Sequence, residues 1–168
     1  MLGRRFFAGS GAGEGRRLAK PAGIRHDCRM ETDVKFVRVA AAVLRRGGWI
    51  LVARRPPGDV LEGQWEFPGG KIEAGESPEV CLRRELQEEL RLDCTIGPHL
   101  TTVRHRYPKL EIELIVHAAT PPADLPVPLA STAHSEVRWV TPAELSELVF
   151  AAADVPVVEL LQRGATLG

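Results

Sequence analysis

The stretch GGKIEAGESPEVCLRRELQEELRL, Gly69 to Leu92, sets Glu85, Glu88 and Glu89 within about one helical turn behind a loop containing three glycines. Like charges at helical neighbour spacing repel, so the cluster needs a partner. A hard divalent cation is one candidate, because it takes carboxylate oxygens. The other is a solvated face on which Arg83, Arg84 and Arg91 pair with the glutamates, an arrangement worth little at a surface. In the loop, Gly69 and Gly70 allow backbone to approach a ligand without side-chain obstruction. Gly75 allows a tight turn that returns Glu76 toward the helix.

The elements that hold these groups can be read from pattern. Ser77 followed by Pro78 is an N-cap and first-turn pair, which predicts a helix over residues 78–91. Leu82, Leu86 and Leu90 form its apolar stripe. On the helical wheel Glu89 falls between Leu82 and Leu86, with Glu85 and Glu88 flanking it on one side. A carboxylate aimed at the rim of a core is costly unless it is neutralised. Upstream, VKFVRVAAAVLRR and WILVARR read as strands around a Gly47-Gly48 turn, and PPGDVLEGQWEFPGG reads as loop-rich. TIGPHLTTVRHRY and LEIELIVHAAT read as two strands joined at Pro108-Lys109. A Pro-rich loop, TPPADLPVPLASTAHS, then precedes a short strand, EVRWV. Thr141, Pro142 and Glu144 form a capping box that predicts a helix from TPAEL, and VPVVELLQR predicts a last helix. Strands and helices mix without regular βαβ alternation, which favours a compact α/β or α+β sandwich over a doubly wound fold.

A chain of 168 residues with 44% hydrophobic and 26% charged residues fits one globular domain and excludes a fibre. No run of about 18 apolar residues exists, so no spanning helix is expected. Cys28, Cys81 and Cys94 lack close paired spacing, which argues against a disulfide framework or structural zinc and points to a reducing, cytoplasmic setting. The net charge of zero conceals a split: residues 1–30 carry seven Lys or Arg against Glu14 and Asp27, a balance of +5, and the remainder carries −5. Residues 1–33 form a Gly/Ala/Arg-rich leader expected to be poorly ordered, with the domain at residues 34–168. The leader reads as an organelle-targeting peptide, as an upstream start misassignment with Met30 the true beginning, or as a nucleic-acid arm. The acidic domain behind it disfavours the last, so no stable nucleic-acid binding is expected.

The full spacing is more specific than its parts. Gly70, five residues, Glu76, seven residues, Arg84-Glu85-Leu86, one residue, Glu88-Glu89, one residue, Arg91-Leu92 resembles the Nudix box, GX5EX7REUXEEXGU with U aliphatic. It departs from the box at one place: Arg91 stands where the family has glycine. WEFPGGKIE, Arg54-Arg55, SEVRWVTPAEL and ADVPVVELL resemble the MutT-type branch, so the resemblance spans residues 34–163. It implies an α/β fold, the Nudix α/β/α sandwich with a mixed β-sheet between helices. A glycine there would supply a left-handed C-cap, which an Arg adopts only at a cost of about 1 kcal/mol or more. The substitution should therefore change local stability rather than metal binding.

The resemblance also implies a reaction, hydrolysis of a (deoxy)nucleoside triphosphate to monophosphate and pyrophosphate, and the roles within it. Glu85, Glu88, Glu89 and the Gly69 carbonyl would hold Mg2+, or Mn2+. Glu85 would activate or orient the water, Arg84 would fix Glu85, and Glu76 would secure the loop. Arg55 and Lys71 are candidates for phosphate contact, or are ordinary solvent-facing basic residues. An additional metal-binding acid is expected beyond the second strand pair, where this chain has Ala133. Glu136 lies close by but at a strand start, and His134 reads as an exposed loop histidine or as a ligand or base. Asp154 corresponds to a base-contacting position and is equally placed to cap the last helix. Ionised, it suits cytosine N4 or guanine N1 and N2; protonated, an oxidised purine carbonyl. Phe150 and Trp139 are candidate walls of the base pocket. Three readings follow: a nucleotide-pool sanitising enzyme acting on 8-oxo-dGTP or a CTP-type pyrimidine pyrophosphohydrolase; a Nudix enzyme for ADP-ribose, dinucleoside polyphosphates or capped RNA; or a nonhydrolytic nucleotide-binding module. The partner expected is a small nucleotide, in a monomer or homodimer without membrane association.

Overall fold

The computed structural model describes residues 34–125 and 128–164. The leader expected at residues 1–33, with Cys28, lies outside the described residues. Ten elements follow in order: β1 (Lys35–Arg46), β2 (Trp49–Arg54), β3 (Trp65–Glu66), β4 (Gly69–Lys71), α1 (Pro78–Leu90), β5 (Thr95–Tyr107), β6 (Leu110–Thr120), β7 (Glu136–Val140), a 3-10 turn (Glu144–Glu147) and α2 (Val155–Gln162). The strands run β3-β2-β1-β6-β5, with β4 added to β1 and β7 to β2. β1 and β6 are parallel over ten residue pairs, from Lys35↔Leu110 to Leu44↔Ala119, and the other pairings are antiparallel, so the sheet is mixed. No helix among the described residues is long and apolar enough to cross a membrane.

Strand periodicity divides the interior into two cores. On β1, Ala40, Ala42 and Leu44 face α1, while Ala41 and Val43 face α2; on β6, Ile115 and Ala119 face α1, while Leu114 and Val116 face α2. Helix α1 closes one face with Cys81, Leu82, Leu86 and Leu90, all buried. Helix α2 closes the other with Val157, Val158 and Leu161. Each such leucine or valine contributes about 1.5–3 kcal/mol by burial, which makes the α/β/α arrangement the one that hides both faces of the sheet. Cys81 and Cys94 are free thiols within the α1-side core.

The segment PPGDVLEGQWEFPGG is loop-rich as expected and also supplies β3 and the start of β4, whose two and three residues are too short to show a period and exist because β2 and β1 offer them partners. One expectation is corrected. The TPAEL segment does not continue into an α-helix. Its capping box forms, with Thr141 N donating to Glu144 Oε2 at 2.7 Å, but only a single 3-10 turn follows, ending at Leu148 in extended conformation.

The end of α1 is as the substituted glycine position implied. Arg91 adopts the left-handed conformation, φ 58°, ψ 33°, and its N–H donates to Gln87 O while Leu92 N–H donates to Leu86 O. The bond from Arg91 N–H to Gln87 O is the 5→1 closure of an αL cap built on a non-glycine residue, with Leu92 buried in the α1-side core beneath it. Arg91→Gly is expected to raise stability by about 1 kcal/mol, seen as a higher urea midpoint at unchanged slope. An unchanged midpoint would mean that the arginine side chain offsets the backbone cost.

Candidate active site

The loop between β4 and α1 is organised by Arg84. Its guanidinium donates to Glu76 Oε1 and Oε2 at 2.8 and 2.9 Å, to Glu85 Oε1 at 2.8 Å and to the Lys71 carbonyl at 3.2 Å. Glu76 also accepts from Glu73 N at 3.0 Å across the turn made by Gly75, φ 86°. These contacts hold the Glu76 carboxyl down at about 2. Arg84 therefore ties loop, strand and helix together and turns Glu85 toward β4.

Close approach of β4 completes the geometry. Gly69, at φ 151°, lies so near β1 that a Cβ there would overlap the Ala40 carbonyl oxygen. At Gly70 the atoms nearest to a Cβ, and overlapped by it, would be those of the Glu85 carboxylate. Glu85, Glu89, Gly69, Gly70 and Lys71 all line one cavity of about 420 Å³. Glu88 does not line it: its side chain is 60% exposed and lies 3.5 Å from Arg84 Nη1. Among the described residues no three acidic, histidine or cysteine side chains converge closely enough to form a metal shell by themselves.

Glu89 has no counter-ion in hydrogen-bonding contact. Its Oε2 is buried with no hydrogen-bond partner, and burial, with Glu85 and Glu66 nearby, pushes its carboxyl up to about 7. An oxygen so placed, without a donor, is satisfied by a bound cation. The donor set of carboxylates and a backbone carbonyl fits a hard divalent ion in chemistry.

Next to Glu89 the cavity wall continues as a charged chain in which Glu66 and His134 act on its carboxyl. Arg55 donates to both oxygens of Asp59 at 2.7 and 2.6 Å and to Glu66 Oε2 at 2.6 Å, so its fork is engaged by carboxylates rather than free for phosphate. Asp59 falls to about 2 in consequence. Glu66 Oε1 lies 2.9 Å from His134 Nε2, and His134 Nδ1 lies 3.0 Å from Ser131 Oγ. The Ser131 hydroxyl already accepts from Ala133 N and His134 N, so it donates to Nδ1 and leaves Nε2–H to donate to Glu66. His134 is thus not an exposed loop residue, as one reading had it; its side chain is 4% exposed. Thr132 explains its placement, because its N–H and hydroxyl bond the carbonyls of Glu88 and Glu89 at the end of α1. Ala133 lines the cavity where an acid was looked for, while Glu136 pairs with Arg138 at the start of β7.

Asp154 also opens on this cavity. Although it precedes α2, its side chain makes no capping bond, which corrects the capping alternative; Oδ1 accepts from Phe67 N at 3.2 Å instead. Burial raises its carboxyl from 3.8 to about 7. Phe67, Ile112 and Leu114 provide apolar wall. Phe150 stands behind Phe67, ring centroids 5.5 Å apart, and Trp139 lines a different groove with Trp49, so neither forms the wall expected of it.

Residues 39–160 match the NUDIX domain family. The chain is a Nudix hydrolase. It is 36% identical over 126 residues to a CTP pyrophosphohydrolase of Escherichia coli, covering 75% of this chain and 91% of that protein. It is 43% identical over 83 residues to an 8-oxo-dGTP diphosphatase of Proteus vulgaris, covering 49% and 74%. Among solved structures, the E. coli ORF135 protein superposes with a TM-score of 0.66 at 34% identity, covering 79% of this chain and 93% of that one. MutT from methicillin-resistant Staphylococcus aureus 252 gives 0.63 at 32% identity, covering 79% and 99%. Nudix hydrolases in general use divalent metal ions, and the orphan oxygen of Glu89 fits that requirement here.

Glu66, Asp59 and Tyr107 are cavity residues that the sequence analysis of this Nudix chain did not single out. A charged residue between Trp65 and Phe67 was the signal for Glu66; nothing local marked the other two.

The two glycines should separate folding from chemistry. Gly69→Ala is expected to cost about 2–4 kcal/mol of stability, since it meets backbone and a disfavoured φ. Gly70→Ala should keep its unfolding midpoint yet lose turnover by displacing Glu85, and equal effects on midpoint from both would refute this division. A second expectation concerns pH. Asp154 keeps its proton to about pH 7 when folded but releases it near 3.8 when unfolded, so the native state binds more protons between those values and stability falls as pH rises through them. Denaturant titrations should show a flatter profile for Asp154→Asn over that window, and an unaltered slope would place the ionisable group elsewhere.

Proposed function

We propose that the protein is a Mg2+-dependent nucleoside triphosphate pyrophosphohydrolase, releasing monophosphate and pyrophosphate. The observation that carries this reading is that two carboxyls of different surroundings, half-buried Glu89 beside Glu85 and buried Asp154 beside Phe67, open on one cavity. One supplies oxygen for a cation and the other a hydrogen-bonding group for a base.

Glu85, Glu89 and the Gly69 carbonyl, joined by Glu88, are the groups proposed to hold Mg2+, and Mn2+ has the same preference for oxygen. The ion, when bound, supplies neutralising charge at the polyphosphate. Arg84 occupies Glu85 Oε1, which leaves Oε2 as the atom proposed to take a proton from the attacking water. Lys71, exposed on β4 at the cavity, is proposed to contact phosphate. Arg55 is proposed to act from within its carboxylate pairs, holding Glu66 and Asp59 in place.

For the base, 8-oxo-dGTP is the first reading, with Asp154 donating to a carbonyl in its protonated form. CTP or dCTP is the second, favoured by the 36% identity over 91% of a CTP pyrophosphohydrolase, with ionised Asp154 accepting from the exocyclic amine.

Initial rates for 8-oxo-dGTP, dGTP, CTP, dCTP, 5-methyl-dCTP and ADP-ribose, scored by nucleotide product and pyrophosphate, test the reading. Turnover of triphosphates that stops on chelation and falls about a hundred- to ten-thousand-fold in Glu85→Gln is expected. Triphosphates left intact with both Mg2+ and Mn2+ present would refute it.

A further inference from the structure

Among the described residues two buried side-chain polar atoms lack a hydrogen-bond partner: Glu89 Oε2 and the hydroxyl of Tyr107. Both belong to residues lining the same cavity. A buried hydroxyl left unpaired is costly, and in native structures such a group has a specific reason, such as a functional role or a bound water, ion or ligand that completes it.

Tyr107 is placed by the hairpin between β5 and β6. It is the last residue of β5, paired with Leu110, and the Pro108-Lys109 turn follows it directly. Its ring meets His105 edge-on at 4.5 Å between centroids. The side chain reaches the α2 side of the cavity, where the Ala153 amide, the Asp154 and Glu66 carboxyls and the Arg55 guanidinium are its polar neighbours. The Ala153 N–H lies near the phenol oxygen but forms no well-aligned bond with it, so the O–H remains without an acceptor. Asp154 Oδ1 is occupied by Phe67 N, which leaves Oδ2 toward the cavity.

We infer that the Tyr107 hydroxyl is a substrate-binding group, donating a hydrogen bond to an acceptor on the base, next to the contact made by Asp154. The pair offers a phenol donor and a carboxyl side by side, which matches a heterocycle edge with an acceptor beside a donor. The inference rests on the proposed triphosphate reading and extends it to a residue that touches only the base. Tyr107 therefore acts in binding and leaves the chemistry at the phosphates to α1.

The experiment compares wild type with Tyr107→Phe on the preferred nucleoside triphosphate and on ribose 5′-triphosphate, which has the same phosphates and no base. For the nucleotide, a rise in KM of about tenfold with kcat nearly unchanged is expected, the effect of one lost hydrogen bond to a buried group. For ribose 5′-triphosphate the two proteins should behave alike. The unfolding midpoint of Tyr107→Phe should equal or exceed that of wild type, because an unpartnered hydroxyl is removed. Equal KM on the nucleotide, an equal loss on both substrates, or a lowered midpoint would each overturn the inference. A wild-type protein that cleaves no triphosphate would instead overturn the functional reading beneath it.

Discussion

The guanidinium of Arg84 is the contact on which the site depends. It joins Glu76 of the loop, the Lys71 carbonyl of β4 and Glu85 of α1. Burial of Leu82, Leu86 and Leu90 against the sheet sets the rotation of α1, which brings Glu85 and Glu89 to the cavity. Charge-assisted bonds to carboxylates are directional, so Arg84 then fixes loop, strand and Glu85 relative to one another. Glycine at positions 69 and 70 then permits the approach that the clamp requires.

The cavity wall contrasts two ways of keeping carboxyl groups away from water. Asp59 and Glu66 are paired with Arg55, and Glu66 is also held by His134, so their oxygens have partners. Glu89 and Asp154, beside them, lack cationic hydrogen-bond partners, and burial drives both toward neutrality near pH 7. Paired charges make a rigid wall. The poorly paired groups keep binding capacity in hand, which is the property a charged and hydrogen-bonding ligand requires.

The places where sequence pattern misleads share a cause. His134 lies in a polar, Pro-rich segment, yet Thr132 bonds the end of α1 and turns the histidine inward. Asp154 has the position of a cap, but Phe67 N, 87 residues away in the chain, takes its oxygen. Trp139 sits on the face of β7 that packs toward α1, away from the cavity. In each case a partner distant in sequence outweighs a local preference of about 1 kcal/mol.

What the sequence determined alone is the part governed by near neighbours. The span of α1 with its serine cap and the two hairpin turns follow from spacings of a few residues, while the left-handed end at Arg91 and the link from Arg84 to Glu76 and Glu85 are what the resemblance to the Nudix box implies. What the tertiary structure decided is which side chains share the cavity. Glu88, central to the motif, lies outside it, whereas Glu66, His134 and Tyr107 are brought in from separate strands and loops. Helical and turn geometry is set by backbone dihedrals and local hydrogen bonds. The cavity is set by how the parallel pairing of β1 with β6 aligns segments about 75 residues apart, as in Arg38 with Glu113, and no short-range pattern encodes that register.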